Sequence, residues 1–472
     1  MATQGRSKYK LSGDAERTVA LDDAQIEERM EESWWSPDIP RKELKALMQR
    51  SDGYALADFG FWIILLIASG YAVVVSWGTL WVVPALFVYG TIYSSSDARW
   101  HECGHGTPFK TRWLNEFFYQ VSSFMTIREA VLWRWSHSRH HTHTIIVGRD
   151  PELLIQRPPD LFALVVGVFY FHGGYGEIRR IVRHAMGNPD SEVRTYVPEQ
   201  ELKKMYWSSR IYLAIVAGFV VWSIAIGSLL PIMMVWLPRF YGGWLHHILG
   251  LTQHAALAED TFDHRENCRT VHINPIFSYL YLNMEYHVEH HTTPMIPYHA
   301  LPKYHDAIKD QTPPAYPSLW AVYKEMVPAL IKQATQDVDH YIKREVPTPF
   351  NKPVEQPLVK TAESIGDDWV EVCAVDELDQ DDILSFDHNG KTYAVYRLAN
   401  DEFYATDGIC THAKVALAGG LVIDGCIECP KHNGRFEVRT GAAVRHPAQE
   451  DLNTYPVERR GDKILVFVSS QG

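Results

Sequence analysis

Nine histidines in four short stretches of this chain form a pattern that the packing of a core does not explain. They are His101 and His105 in HECGH, His137, His140 and His141 in HSRHH, His254 in TQHAA, and His287, His290 and His291 in HVEHH. Residues three and four positions apart lie on one helix face, so each stretch can direct two or three imidazoles toward one metal ion. Chance clustering would explain one stretch better than all of them. Because imidazole suits iron, copper, nickel and zinc alike, the ligands do not choose the metal.

A second motif lies near the other end of the sequence. Cys410-Thr-His412 is followed after sixteen residues by Cys429-Pro-Lys-His432. Two loops of this spacing can place two thiolates on one iron and two imidazoles on the other iron of a [2Fe–2S] cluster, which is the Rieske arrangement. A zinc ribbon usually repeats CxxC, or combines CxxC with HxxxH, so the order Cys-His-Cys-His disfavours it. The motif therefore predicts a one-electron carrier.

Apolar segments predict a membrane domain. Phe59–Trp77 and Thr79–Ser96 are each long enough to cross a bilayer, which takes about 20 helical residues, and together they predict a hairpin. Ile211–Leu251 is either one helix or a second hairpin that turns near Gly227-Ser228, and hydropathy leaves both open. All nine histidines must lie on one side of the membrane to share a metal centre, so we expect four crossings. Leu161–His172 should then lie in the interface.

The distribution of basic residues predicts the orientation. The turns of both hairpins lack Lys and Arg, whereas the opposite side is flanked by Arg41, Lys42, Lys45, Arg50, Lys110, Arg112, Arg179, Arg180, Arg183, Lys203, Lys204 and Arg210. By the positive-inside rule the histidine side faces the cytoplasm. We accordingly expect Cys103, Cys268, Cys373 and Cys426 to be reduced thiols.

A proline-rich stretch, VPTPFNKPVEQP from Val346 to Pro357, separates the membrane region from a C-terminal module. Beyond it, short runs such as TYAVYRL and KILVFV alternate with Asn-Gly and Gly-Gly turns, which is typical of an all-β module. We expect a polar segment at 1–50, a histidine-bearing membrane domain at 51–345, a linker at 346–365 and the cluster domain at 366–472. The cluster domain is acidic, which suits either a basic reductase surface or an ordinary solvated face.

The stretches HECGHG, HSRHH and YHVEHHTTPMIPYHALP resemble the membrane fatty-acid desaturase and hydroxylase superfamily over about Phe59 to His305. The combination with a Rieske ferredoxin is similar to oxygenases of the rhizopine-catabolism type. Acyl desaturases usually have Asp where Glu102 stands, whereas HSRHH has the desaturase spacing. The resemblance implies an α-helical membrane protein with four transmembrane helices and a cytoplasmic helical cap, followed by a small all-β Rieske domain.

The resemblance also implies the chemistry. The nine histidines would hold two non-haem irons, and Cys410, His412, Cys429 and His432 would hold one [2Fe–2S] cluster. With O₂ as co-substrate, the protein would be a monooxygenase that hydroxylates its substrate, with or without oxidative dealkylation. The alternative is a lipid or fatty-acid desaturase. A separate NAD(P)H-dependent ferredoxin reductase, membrane lipid and a small-molecule or lipid substrate are the expected partners, with no nucleic acid. The expected location is an inner membrane of the bacterial type.

Several further residues have two interpretations at this point. Arg239, His246 and His247 fall inside the expected fourth span, where they either line a pocket for a polar substrate group or reach the interface. Asp150 and Glu152 either orient imidazoles or cap a helix and face solvent. His143 either hydrogen-bonds behind the ligands or is exposed.

Two other functional classes compete with the oxygenase. Nine imidazoles are too many for a zinc hydrolase, whose catalytic site has three protein ligands and a water. A membrane-anchored electron carrier would leave the histidine stretches without a task.

Overall fold

The computed structural model describes residues 9, 11, 35–153, 155–347, 359–364, 368–412, 414–431, 433–445 and 447–468. The chain forms two compact units. The helical unit comprises Met1–Trp35, Arg50–His291 and Pro297–Thr348, and the β unit comprises Ser36–Gln49, Thr292–Ile296 and Pro349–Gly472. Most of the expected polar segment at 1–50 and much of the expected linker at 346–365 lie outside the described residues, so both boundaries stay predictions.

The α-helices are, in chain order, α1 (Arg41–Leu47), α2 (Asp52–Ser76), α3 (Val82–Ser94), α4 (Ser96–His105), α5 (Arg112–Met125), α6 (Ala130–Thr142), α7 (Leu161–Val166), α8 (Phe171–Ala185), α9 (Glu199–Ala225), α10 (Leu230–Met233), α11 (Pro238–Gly242), α12 (Trp244–His254), α13 (His264–Asn267), α14 (Pro275–Tyr281), α15 (His287–Thr292), α16 (Leu301–Ile308) and α17 (Leu319–Thr335). Short 3₁₀ turns occur at Gly167–Phe169, Val193–Thr195, Tyr298–Ala300, Val375–Glu377 and Leu417–Gly419. The region of the expected membrane domain is thus helical.

Two helical stretches among the described residues, Arg41–Ser76 and Glu199–Ala225, are long and apolar enough to cross a membrane. A third can be counted if α7 and α8, with the 3₁₀ turn between them, form one span that is bent by 75°. The expectation of four transmembrane helices is therefore not confirmed. The helix breaks after Ser94, and the segment after the turn at Gly227 is divided into the short helices α10, α11 and α12. Hydropathy along a sequence does not detect such breaks.

Aromatic and glycine contacts fix the helices around α4. The ring of Phe59 on α2 lies 5.0 Å from that of Phe109 and 4.8 Å from that of Phe118 on α5. All three side chains belong to a core that also contains Trp100 of α4, and burying each ring stabilises the fold by about 2 kcal/mol. Helices α3 and α11 can approach closely because Gly242 has no side chain. A Cβ atom at this position would lie 1.9 Å from the carbonyl carbon of Gly90. Small residues permit such close backbone packing between membrane helices.

The β unit contains three small sheets, and the expectation of an all-β module is confirmed. Its strands are β1 (Val359–Thr361), β2 (Glu363–Ser364), β3 (Trp369–Ala374), β4 (Asp382–His388), β5 (Lys391–Arg397), β6 (Phe403–Asp407), β7 (Leu421–Ile423), β8 (Cys426–Glu428), β9 (Arg435–Glu437), β10 (Ala443–Arg445), β11 (Thr454–Tyr455), β12 (Val457–Arg460) and β13 (Lys463–Phe467). The sheet orders are β1-β4-β5-β6-β11, β10-β9-β8-β7 and β12-β13-β3-β2.

The register of the β unit follows from its turns. Strands β4 and β5 pair antiparallel from Asp382 opposite Arg397 to His388 opposite Lys391. Asn389 and Gly390 connect them with φ of 51° and 77°, as the tight hairpin turn signalled by Asn-Gly requires. Gly420 allows another close approach, because a Cβ atom there would lie 2.1 Å from the carbonyl oxygen of Glu428. This contact joins the loop after Cys410 to strand β8.

Candidate metal centres

Five buried histidines from three helices converge in the helical unit. His101 and His105 come from α4, His137 and His141 from α6, and His290 from α15, and one nitrogen of each lies within 4.8 Å of the others. The Nε2 atom of His137 is 3.0 Å from that of His105 and 3.1 Å from that of His141. We call these five residues the first histidine group.

Four more histidines form a second histidine group. It contains His140 of α6, His254 at the end of α12, and His287 and His291 of α15, with the same mutual spacing. The Nε2 atom of His287 lies 2.9 Å from that of His254 and 3.0 Å from that of His291. All nine histidines that the sequence singles out in the helical unit therefore lie in one of two compact groups.

The position of the proton on each ring decides whether its Nε2 atom has a free lone pair that could bind a metal ion. Burial, followed by neighbouring imidazoles, lowers the pKa of His254 and His291 well below its usual value, so both rings are neutral at pH 7. His254 donates its Nδ1 proton to the carbonyl oxygen of Asn267 at 2.8 Å, which leaves a lone pair on Nε2. The Thr144 hydroxyl donates to the carbonyl of His140, so its oxygen accepts from Nδ1 of His291. The Nε2 lone pairs of His254 and His291 both point toward Nε2 of His287.

A proton on Nε2 of His287 could be donated to only one of these two lone pairs, whereas a cation between the three nitrogens would interact with both. With metal–imidazole bonds of about 2.1 Å, two nitrogens at right angles around an ion are about 3.0 Å apart. The measured separations of 2.9–3.2 Å match that distance. Both histidine groups therefore fit a metal ion, and a donor set made of imidazoles suits iron.

Carboxylates fix the orientation of several of these rings by accepting a hydrogen bond from Nδ1, the ring nitrogen that does not point into the group. Asp150 accepts from Nδ1 of His140 at 2.9 Å, and Glu152 accepts from Nδ1 of His137 at 3.0 Å. Asp150 is itself held by the backbone N–H of Ile145 at 2.8 Å. Such partners select the tautomer that presents Nε2 to a metal and raise the basicity of the ligand. Of the two roles considered for Asp150 and Glu152, the structure places both in contact with imidazoles.

The structure divides the histidine stretches in a way that their sequences do not reveal. The pairs four residues apart stay together, with His137 and His141 in the first group and His287 and His291 in the second. The remaining histidine of each stretch, His140 or His290, belongs to the opposite group. Helices α6 and α15 therefore contribute to both groups. His143, which follows α6 as its C-cap, belongs to neither group.

Sequence reasoning missed several residues that support the site. Glu289, inside the third stretch, is buried and lies 2.5 Å from both Nδ1 of His305 and the hydroxyl of Thr270. His264 and Cys268, both buried, each place one possible ligand atom within 4.8 Å of a nitrogen of His291 in the second group. The only signal for these residues was their polar character next to the histidine stretches. None of them has the regular spacing that made eight of the nine histidines recognisable.

A buried charged set lies beside the first histidine group. Arg128 Nη1 lies 2.8 Å from Asp97 Oδ1, and Arg239 also forms an ion pair with Asp97. His246 Nε2 is 3.3 Å from the same carboxylate. We call Asp97, Arg128, Arg239 and His246 the arginine set. His247 lies apart from it, with its Nε2 2.8 Å from the carbonyl oxygen of Leu164.

Three of the four predicted cluster ligands, Cys410, His412 and Cys429, lie in two loops of the β unit. Cys410 follows β6, Cys429 follows β8, and both are buried in a core with Leu417, Ile427 and Phe436. Each cysteine begins a tight turn: Lys414 N–H donates to the Cys410 carbonyl at 3.0 Å, and Asn433 N–H donates to the Cys429 carbonyl at 3.2 Å. His412 is exposed, and His432 lies outside the described residues.

Comparison with known families matches both regions. The fatty acid desaturase family matches residues 76–323, which is more than half of the chain, and the Rieske [2Fe-2S] domain family matches residues 368–456. The first match contains all nine histidines, and the second contains Cys410, His412, Cys429 and His432.

Individual relatives align with the Rieske region. The chain is 37% identical over 101 residues to the ferredoxin component of a naphthalene 1,2-dioxygenase system from Pseudomonas aeruginosa, covering 21% of this chain and 96% of that protein. It is 38% identical over 105 residues to the ferredoxin component of a p-cumate 2,3-dioxygenase system from Pseudomonas putida, covering 22% and 88%. Among solved structures, the ferredoxin of carbazole 1,9a-dioxygenase from Nocardioides aromaticivorans IC177 matches with 35% identity, 22% and 100% coverage and a TM-score of 0.21. The chain belongs to the fatty acid desaturase family, carries a Rieske [2Fe-2S] domain after its desaturase domain, and is an oxygen-dependent oxidoreductase.

Proposed function

We propose that this protein is a membrane-bound monooxygenase that hydroxylates its substrate and receives its electrons through its own Rieske domain. The first and second histidine groups each hold one non-haem iron. The observation that carries the proposal is the convergence of nine imidazoles, eight of them buried and that of His254 partly buried, into two groups with nitrogen separations of 2.9–3.2 Å. A zinc hydrolase would need neither two such groups nor a redox domain.

The residues around the histidines prepare the site for its metals. The iron pair, when bound, supplies O₂ binding and reduction. Asp150 and Glu152 keep His140 and His137 in the tautomer that offers Nε2. Burial of eight of the nine rings keeps water away from the site, which strengthens the electrostatic interactions within it.

Electrons enter through the β unit. We propose Cys410, His412, Cys429 and His432 as the ligands of its [2Fe–2S] cluster, which carries one electron at a time. Hydroxylation consumes one O₂, two electrons and two protons for each C–H bond converted to C–OH and each water released, so the cluster is reduced twice per turnover. An NAD(P)H-dependent ferredoxin reductase on a separate chain supplies these electrons. The ferredoxin components of dioxygenase systems that resemble this region support that role.

The proposed placement is an inner membrane of the bacterial type, with the histidine groups and the Rieske domain on the cytoplasmic side. The positive-inside rule supports the orientation, since Lys and Arg flank the histidine side of the apolar segments. The proposed domain limits are 51–345 for the membrane domain, 346–365 for the linker and 366–472 for the Rieske domain. Four crossings would require α3, which has 13 residues, and the broken segment from α10 to α12 to act as spans.

Metal analysis and product analysis together test this function. The purified protein should hold about four irons per chain, two in the cluster and two in the histidine groups. Zinc in the histidine groups would indicate a hydrolase, and cluster iron alone would indicate an electron carrier. Metabolites of cells that express the protein with a matched reductase are then compared with those of cells carrying His137→Ala. Addition of one oxygen atom identifies hydroxylation, and loss of two hydrogens identifies a desaturase.

A further inference from the structure

One face of helix α8 is apolar and exposed. Phe171, Tyr175 and Val182 are 61%, 69% and 37% exposed, and their spacing of four and seven residues places them on one side of the helix. Another side of α8 is buried and contains Gly174, Glu177, Ile181 and His184. An exposed apolar stripe on a helix that is already packed on another side indicates contact with a second apolar environment.

Arginines lie next to this apolar stripe. Arg179 and Arg183 are on the adjacent side of α8, since a residue four positions along a helix lies about 40° further around it. Arg183 forms an ion pair with Asp190, and Arg180 forms one with Glu177. Arg179 is exposed, and within the described part of the chain it is the one arginine of α8 without an ion-pair partner.

The end of α8 is attached to α9 at the level where the charged residues of α9 end. Arg210 Nε donates to the carbonyl oxygen of Ala185 at 2.8 Å. From Ile211 to Ala225, the rest of α9 contains no charged residue, and α9 is long and apolar enough to cross a membrane. The C-terminal end of α8 therefore lies where headgroups would meet the hydrocarbon core.

The exposed side chains of α9 agree with this level. Lys203, Trp207 and Arg210 are exposed and lie on one helix face, because they are spaced by four and three residues. The guanidinium of Arg210 lies 4.9 Å from the ring centroid of Trp207. Tryptophan and basic residues together are typical of the membrane–water boundary.

The local charge is positive after all acidic residues are counted. Between residues 171 and 210, seven Lys and Arg residues accompany five Asp and Glu residues, an excess of two positive charges. Glu199 pairs with Arg194, and Glu201 pairs with Lys204. Among the described residues, neither Lys203 nor Arg210 forms an ion pair with a carboxylate. The exposed basic side chains of α8 and α9 are thus available to an external anion.

We propose that α8 lies in the membrane interface and that Arg179, Lys203 and Arg210 bind the headgroups of anionic phospholipids. The apolar stripe then reaches the acyl boundary, and the excess positive charge favours anionic over zwitterionic lipid. A bent span made of α7 and α8 would instead place three arginines in the hydrocarbon core, where charged side chains are rare and costly. This assignment rests on the membrane-bound function proposed above, and it adds a lipid partner to the interfacial position expected for Leu161–His172.

The same part of α9 contacts the helix that carries the second histidine stretch. Leu202 and Met205 of α9 pack in one core with Leu132 and Trp135 of α6. Binding of lipid headgroups to α8 and α9 would therefore hold α6, with His137, His140 and His141, close to the membrane surface.

Spin labels at defined positions test the depth of α8. Tyr175→Cys and Val182→Cys are labelled in the full-length protein in a bilayer, and depth is measured from collision rates with oxygen and with a water-soluble nickel complex. An interfacial helix should place both labels within about 3 Å of the same depth, whereas a span would separate them by up to about 10 Å, the rise of seven residues. Val221→Cys on α9 is the deep reference, since Val221 is 64% exposed. The native cysteines are buried, and labelled wild type gives the background.

Lipid selectivity tests the role of the basic residues. Native mass spectrometry of the full-length protein, taken from micelles with equal amounts of phosphatidylglycerol and phosphatidylcholine, gives the ratio of the two retained lipids. We expect phosphatidylglycerol to be preferred, and Arg179→Gln should lower the ratio by up to about fivefold, because that is the attraction of one basic residue to an anionic surface. Lys203→Gln should act in the same direction. Arg439→Gln is the matched control, since this exposed arginine pairs with Glu402 in the β unit, and it should leave the ratio unchanged.

Each outcome decides the assignment. Equal retention of the two lipids, or an unchanged ratio in Arg179→Gln, would overturn the lipid selectivity. Labels at different depths would identify a bent span, and labels in contact with water alone would identify a surface for a protein partner; both results would overturn the interfacial position. Arg179→Lys keeps the charge and should keep the preference. A label at Val221 that contacts water would contradict the membrane placement itself, which distinguishes failure of the proposed function from failure of the lipid site.

Discussion

The two units differ in how their predicted metal ligands are distributed along the chain. In the helical unit, the nine histidines come from four helices between residues 101 and 291, and adjacent residues such as His140 and His141 belong to different groups. In the β unit, the four predicted ligands fall between residues 410 and 432 of the sequence, and Cys410 and Cys429 lie in loops that share one small core. A local motif can position its ligands through hairpin geometry alone, whereas the dispersed set depends on the whole helical fold. The comparison predicts that the two centres can be lost separately.

The largest effect on product formation and iron content is expected from removing one of the nine histidines of the helical unit. His140→Ala and His290→Ala each take one imidazole from a histidine group and should abolish product formation, with loss of about two of about four irons per chain. The Rieske electron paramagnetic resonance signal should remain, because its ligands lie in the other unit. His143→Ala is the control, since this neighbour of α6 belongs to neither group. Product formation in either ligand variant would exclude the histidines from the chemistry.

A substitution in the predicted Rieske motif of the β unit tests the opposite case. His412→Ala should abolish the Rieske optical and resonance signals while about two irons per chain stay in the helical unit. Turnover driven by the reductase should disappear with the cluster. The measurement is iron content together with both spectra. A variant that lost all its iron would refute the independence of the two centres.

The same contrast explains what could be predicted from the sequence. Helical spacing located eight of the nine histidines, with His254 standing alone, and β-rich runs such as TYAVYRL next to turns such as Asn389-Gly390 indicated the β unit. The assignment of His140 and His290 to opposite groups could not be predicted, because it depends on how α6 and α15 cross. Four spans were expected because all nine histidines had to lie on one side of the membrane, and hydropathy did not reveal breaks such as that at Ser95, where α3 ends and α4 begins. Asn267 and Thr144 were missed because single polar residues at irregular spacing carry no pattern.

A smaller effect is expected from changing a carboxylate that hydrogen-bonds a metal-binding histidine. Asp150→Asn replaces the carboxylate that accepts from Nδ1 of His140 at 2.9 Å with an amide that can present its NH₂ group instead. We expect iron affinity of the helical unit to fall by about 10- to 100-fold, measured by iron retention against a chelator. Asp190→Asn, at a surface ion pair with Arg183, is the control and should retain iron like the wild type. If Asp150→Asn also retained it, ligand orientation would not depend on the carboxylate.

The smallest effect concerns the fold of the β unit and not its metal. Helix α1 belongs to this unit, and its Arg41 and Lys45 both form ion pairs with Asp382 at the start of β4. Burial opposes ionisation of Asp382, but the hydrogen bond and charge of Lys45 outweigh it and lower the pKa of the carboxyl below its usual 3.8.

Because the folded pKa is the lower one, this contribution is present above about pH 4 and is lost as the pH falls through the folded pKa. The side chains are about one-quarter exposed, so we expect Asp382→Asn to cost about 1 kcal/mol, or about 4 °C in the midpoint of thermal cluster loss, followed by visible absorbance. Asp424→Asn, at an exposed turn of the same unit, should leave the midpoint unchanged. The difference between the two variants should shrink in high salt, because mobile ions screen partly exposed charges. A difference that persisted unchanged in high salt and at pH 3 would mean that Asp382 acts through packing instead of charge, and that α1 is held to the β unit by other contacts.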